Sequence, residues 1–153
     1  METWRLCRQK YSSTPLDGEG ARLYGGRWNP PGYPCVYSSG SLALAALELL
    51  VHVDHEDAPD DLVSIRIVIP DAVSVESLSV SDLPSDWRAS PSPTSLQSKG
   101  RQWIDSGSSA VLGVPSVVVP SESNFLINPK HLQASQISAQ VLGPFDFDRR
   151  LFG

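Results

Sequence analysis

Lysine is scarce in this chain, with three residues (Lys10, Lys99, Lys130) against nine arginines. With a formal net charge of −5, that scarcity weighs against a nucleic-acid binder, which presents a broad basic face. It still leaves room for a local basic cleft. No apolar run approaches the ~20 residues of a membrane span; the longest, Leu42 to Val53, is interrupted by Glu48. Met1-Glu2-Thr3-Trp4-Arg5 lacks the apolar core of an export signal, so a soluble, cytoplasmic protein is expected. Two cysteines, Cys7 and Cys35, cannot close a zinc site by themselves, and in a reducing compartment they are expected as free thiols. Two phosphate motifs are missing as well. Gly18-Glu19-Gly20-Ala21-Arg22-Leu23 starts like a dinucleotide fingerprint but carries Leu23 for the third glycine, and no Gly-Lys-Ser/Thr loop exists. No Gly-x-Ser-x-Gly elbow surrounds Ser116, which excludes the usual hydrolase nucleophile.

What is present describes a folded α+β protein. At 153 residues the chain is read as one domain, 1–153, able to bury roughly 70% of its unfolded surface. Thirteen prolines argue against a helical bundle. Trp4 to Leu6 reads as an edge strand carrying Arg5 outward, and Ser38-Ser39-Gly40-Ser41 offers N-caps for a helix over Leu42 to Val53. On that helix Leu44, Glu48 and His52 share a face. Leu62 to Ile69 alternates as a strand, with Val63, Ile65, Ile67 and Ile69 on one side. Val73 to Val75 is a further short strand. Ser77 to Ser98 is rich in Ser, Pro and Asp and reads as a long loop or lid anchored by Trp87. Gln97 to Ser106 fits a short helix. Short strands at 110–114, 116–119, 124–127 and 137–142 complete a curved, mostly antiparallel sheet with flanking helices.

The chemistry concentrates between Gly18 and His52. Arg27 sits in Gly25-Gly26-Arg27-Trp28-Asn29-Pro30-Pro31, where breakers forbid regular structure. There it serves either as a bidentate clamp on phosphate or as a loop arginine bonded to nearby carbonyls. Tyr37 is a candidate to stack on an aromatic group, or else a core tyrosine with a satisfied hydroxyl. Glu48 is the only charge between Ser38 and Val51. A carboxylate in an Ala/Leu helix must be paired, neutral or facing a cleft. Its structural reading is an ion pair with Arg66; its functional reading is an anion beside a centre that becomes cationic. Arg5 is a second candidate for an anionic ligand, and Ser116 is a candidate ligand contact or a turn serine. His52, Asp54 and His55 lack a further well-spaced ligand, so no metal is expected. His131, after Asn128-Pro129, reads as a structural contact.

Taken together, GARLYGGRWNPPG, VYSS, ALAALELLVH, VLGVPSVVVPSESNFLINPKH and the terminal FDFDRRLF resemble the RES domain of bacterial type II toxin–antitoxin pairs, over essentially the whole chain. The family's Arg, Glu and Ser positions fall on Arg27, Glu48 and Ser116, with Tyr37 on its tyrosine and Arg5 near the ligand pocket. The resemblance implies an ADP-ribosyltransferase-like fold with NAD as substrate. Arg27, Tyr37 and Glu48 would be catalytic, and Arg5, Arg27, Tyr37 and Ser116 would bind NAD. It further implies cleavage of the nicotinamide–ribose bond by hydrolysis or phosphorolysis, and an Xre-like antitoxin that covers the pocket. One branch of the family instead transfers ADP-ribose to a phosphoribosyl-pyrophosphate synthetase, and a non-catalytic antitoxin-binding module is a third reading. Homodimerisation is left open.

Overall fold

The computed structural model describes residues 1–54 and 56–153. Among these residues, seven strands form one sheet. They are β1 (Glu2–Arg8), β2 (Val36–Ser39), β3 (Leu62–Val68), β4 (Val75–Ser77), β5 (Val111–Pro115), β6 (Ser123–Ile127) and β7 (Ser138–Pro144), in the order β4-β5-β6-β2-β1-β3-β7. Every adjacent pair is antiparallel except β4 with β5. Helices α1 (Glu19–Tyr24), α2 (Leu42–Leu50) and α3 (Thr94–Ser106) flank it, which gives the α+β architecture expected.

Alternation along the strands places a core on each face of the sheet, because successive side chains point to opposite sides. Val63, Ile65, Ile67 and Ile69 join Val36, Val111 and Ile127 in one core. Their neighbours Leu112, Val114 and Leu126 turn the other way, into a second core with Trp28, Trp87, Leu96 and Trp103. The second core is closed by α3, which approaches so closely that a Cβ on Gly100 would lie 1.6 Å from the carbonyl oxygen of Trp28. Only glycine permits that backbone contact. On the other flank, α2 starts at Ser41, whose hydroxyl oxygen accepts from the Leu44 amide at 3.0 Å, the N-cap that serine supplies to an otherwise orphaned donor.

The sheet has one weak seam. β1 is paired with β3 from Glu2↔Val68 to Arg8↔Leu62, and β2 with β6 from Val36↔Ile127 to Ser39↔Asn124. Between β1 and β2 the register holds a single pair, Trp4↔Ser39. Away from that pair the two strands are not laddered together, and the space beside them becomes a cavity.

Several expectations need correction. β1 is an interior strand between β2 and β3 rather than an edge, so Arg5 points into the seam. The helix expected to reach Val53 ends at Leu50, with Val51 as its C-cap. Residues 116–119 form a turn instead of a strand, since Ser116 Oγ accepts from the amides of Val118 (3.1 Å) and Val119 (3.0 Å). The long loop stops at Pro93, where α3 begins three residues earlier than its sequence suggests. Trp87 does anchor that loop, buried in the second core. Arg66 pairs with Glu2 at 2.8 Å and not with Glu48.

Candidate active site

A cavity of about 300 Å³ opens at the seam between β1 and β2, with Arg5, Tyr37, Ser39, Glu48 and Asn124 on its walls. Its floor comes from strands and its sides from α1 and α2, so the chemical groups stand on regular elements. His52, just past the end of α2, also reaches this wall.

Arg5 projects from β1. Its Nη1 donates to the carbonyl oxygen of Pro15 at 2.8 Å. Among the described residues no carboxylate comes within ion-pair distance of it. Burial lowers its pKa, and the nearby Cys7, Asp17 and Cys35 offset this only in part. A guanidinium withdrawn from water and left without a counter-ion is stabilised by any anion that enters beside it.

Tyr37 of β2 presents its ring to the cavity while its hydroxyl is fully engaged. The hydroxyl donates to Asn29 Oδ1 at 2.5 Å and accepts from the Trp28 amide at 3.1 Å. Burial pushes the phenol pKa well above its ordinary value. Asn29, fully buried, donates through Nδ2 to the carbonyls of Ala21, Pro30 and Tyr33. That one side chain organises the breaker-rich loop. A Cβ on Gly26 would sit 2.6 Å from the Tyr37 hydroxyl, so a glycine there lets the phenol dock against the loop.

Glu48 faces the cavity from α2. Its Oε1 accepts from Ser116 Oγ at 2.6 Å and from Asn124 Nδ2 at 2.7 Å. Asn124 is itself oriented from β2, where Ser39 Oγ donates to Asn124 Oδ1 at 2.7 Å. Of the two readings of Ser116, ligand contact or turn serine, the structure shows the turn: the side chain is completely buried, its hydroxyl donating to Glu48 and accepting from two backbone amides. Its place in the site is therefore through Glu48.

Arg27 stands apart from the cavity wall. Its Nη1 donates to the carbonyls of Trp87 at 3.0 Å and Ala89 at 3.1 Å, the arrangement of a loop arginine bonded to carbonyls. Burial lowers its pKa, while the opposing influences of Glu48 and Tyr37 place it within their electrostatic reach. The loop carrying it is held from α3, where Gln97 Nε2 donates to the Gly26 carbonyl at 3.0 Å.

Cys7 and Cys35 are free thiols, as expected; both are buried, and burial raises both thiol pKa values. Of the residues weighed for a metal, His55 lies outside the described residues. Among the described residues no group of three His, Cys, Asp or Glu could hold an ion. His131 caps a turn through the Gln133 amide. No described helix is long and apolar enough to cross a membrane. Sequence reasoning passed over Asn29, Ser39 and Asn124. A lone serine or asparagine in a strand carries no local mark, and only the β2–β6 register could have brought the last two together.

A family model described as "RES domain" matches residues 2–149. The chain is 38% identical over 153 residues to a protein of Yersinia enterocolitica named Toxin Res, covering 99% of each. It is 40% identical over 152 residues to a protein of Sphingobium sp. named Prs ADP-ribosylating toxin, covering 97% of this chain and 94% of that one. Among solved structures, it resembles a chain of the M. tuberculosis MbcT-MbcA toxin-antitoxin complex, with a TM-score of 0.71 and 20% identity over 99% of this chain and 86% of that chain. At that identity the likeness speaks for the fold.

Proposed function

This chain belongs to the RES domain family of toxins, and from that premise we propose that it consumes NAD by breaking the bond between nicotinamide and ribose. The observation that carries the reading is one cavity shared by the Arg5 cation, which has no ion-pair partner among the described residues, the Tyr37 ring and the Glu48 carboxylate. NAD has the matching parts: a pyrophosphate, a flat aromatic leaving group and a ribose that becomes cationic.

In this scheme Arg5 takes the pyrophosphate inside the cavity, the free part of the Arg27 guanidinium, off the cavity wall, meets it where the ligand extends toward the loop, and Tyr37 packs beside nicotinamide. The glycosidic electron pair leaves with nicotinamide, which becomes neutral, and positive charge develops on the ribose. Glu48 stabilises that charge, and its carboxylate receives the proton when the acceptor is water. Tyr37, with its hydroxyl held by Asn29 and Trp28, contributes shape and not a proton. The acceptor is water or phosphate in the leading reading. Transfer to a protein side chain is the second reading, favoured by the name of the Sphingobium relative, Prs ADP-ribosylating toxin. The structural neighbour's place in a toxin-antitoxin complex supports an antitoxin partner, which we take to be Xre-like, acting with the toxin in the cytoplasm.

Chromatography of NAD incubated with the purified protein, with and without phosphate, tests this. Nicotinamide with ADP-ribose marks hydrolysis, and a phosphate-dependent ADP-ribose phosphate marks phosphorolysis. A labelled band after incubation with lysate and labelled NAD marks transfer. Intact NAD under all three conditions refutes the reading.

A further inference from the structure

We propose that Ser39 and Asn124 form a positioning relay that fixes one oxygen of Glu48 and aims the other at the ligand. This rests on the assignment of Glu48 as the charge-stabilising group. Both donors to Glu48, Ser116 Oγ at 2.6 Å and Asn124 Nδ2 at 2.7 Å, converge on Oε1. Among the described residues none donates to Oε2. A carboxylate with one oxygen doubly held has lost its freedom to rotate, and the other oxygen is left to act.

The directions of these bonds are not interchangeable. Ser116 Oγ accepts from the Val118 and Val119 amides, so its own hydrogen can serve Glu48. An asparagine amide can present either nitrogen or oxygen, and an oxygen facing Oε1 would repel it. The Glu48 carboxylate, an acceptor, selects Nδ2, and Ser39 secures that orientation by donating its hydroxyl to Asn124 Oδ1 at 2.7 Å. Ser39 and Asn124 are cross-strand partners on β2 and β6, and Ser39 is also the residue through which β2 meets β1. The relay therefore starts at the one point where the two sides of the seam are tied. Both residues line the cavity, yet neither needs to touch the reacting atoms. Their work is done through Glu48, as supporting hydrogen bonds hold a reactive group within a fraction of an ångström of its productive geometry.

The test combines steady-state NAD turnover with crystal structures of the free variants Asn124→Ala, Ser39→Ala and Ser39→Thr, each checked for its melting temperature. Asn124→Ala is expected to lower kcat at least about tenfold while KM stays within about threefold, since ground-state binding by Arg5 and Tyr37 is untouched. Ser39→Ala should lower kcat in the same sense by less. Ser39→Thr, which keeps a hydroxyl, should recover at least half of that loss, a recovery that general loosening of the strand would not produce. In the crystals the Glu48 carboxylate should rotate in Asn124→Ala, and the Asn124 amide or the Glu48 carboxylate should turn in Ser39→Ala. Unchanged kcat in both alanine variants with an unmoved carboxylate overturns the relay. If the parent protein turns over no NAD, the crystal arm alone decides the relay. The NAD assignment then fails separately.

Discussion

The carbonyl oxygen of Trp28 lies against the bare Cα of Gly100, at a separation that leaves no room for a methyl group. This contact joins α3 to the loop that carries Arg27. The same helix sends Gln97 to the Gly26 carbonyl, so the loop is gripped on both sides of Arg27.

Gly100→Ala is therefore expected to be among the most damaging small substitutions in the chain. Alanine favours helix, but here it must drive α3 off the loop, which should cost about 3 kcal/mol by the scale of overpacking. Urea unfolding measures it. A variant as stable as the parent would show that α3 and the loop do not touch as described.

Replacement of Glu48 by Gln keeps shape and hydrogen-bonding capacity while removing the charge. It should abolish NAD loss with the fold intact, and turnover within threefold of the parent would refute the role assigned to Glu48.

Ser116→Ala deletes the donor to Glu48 and also strands the Val118 and Val119 amides. Leaving these partly buried donors unpaired costs up to about 1–3 kcal/mol, so both stability and kcat should fall. A change in KM alone, with kcat and stability intact, would return Ser116 to the ligand-binding set.

For Arg27 the sharper comparison is with lysine. One nitrogen, Nη1, serves both the Trp87 and Ala89 carbonyls, which an ammonium can also do, but lysine has no planar edge left to offer a pyrophosphate. Arg27→Lys should raise KM for NAD about as much as Arg27→Ala does. Calorimetry of NAD binding checks this, and a lysine variant that binds like the parent would exclude the planar clamp.

Alkaline pH should loosen the fold. The Tyr37 phenol, raised by burial, keeps its proton in the folded state after the unfolded chain has lost its own near the ordinary tyrosine value of about 10. Stability is then complete below that value and declines as pH climbs past it. The buried thiols of Cys7 and Cys35 act in the same direction. Urea midpoints between roughly pH 9 and 11 should fall less steeply in Tyr37→Phe than in the parent protein, and parallel slopes would count against a buried neutral phenol.

Much of this was readable from local pattern, and the remainder needed neighbours. The alternation of Val63, Ile65, Ile67 and Ile69 announces β3, and Ser41 before an Ala/Leu run announces α2, because both signals are local. Glu48 stood out for the same reason, as a lone charge in an apolar helix. The central place of β1 was not legible, since whether a strand is flanked depends on segments far along the chain. Ser116 to Val119 looks like a strand by composition, yet its serine hydroxyl captures two amides and forces a turn. Asn124 and Ser39 gain their meaning from a cross-strand register, and Arg27 from carbonyls sixty residues away.

The single register pair joining β1 to β2 has a consequence for how such a pocket changes over time. A chamber built by loops can be enlarged by inserting residues, whereas this one is a parting between two hydrogen-bonded halves. Its width follows from the splay of whole strands locked to β3 on one side and β6 on the other. Variants that admit bulkier guests must then arise by trimming side chains on its walls.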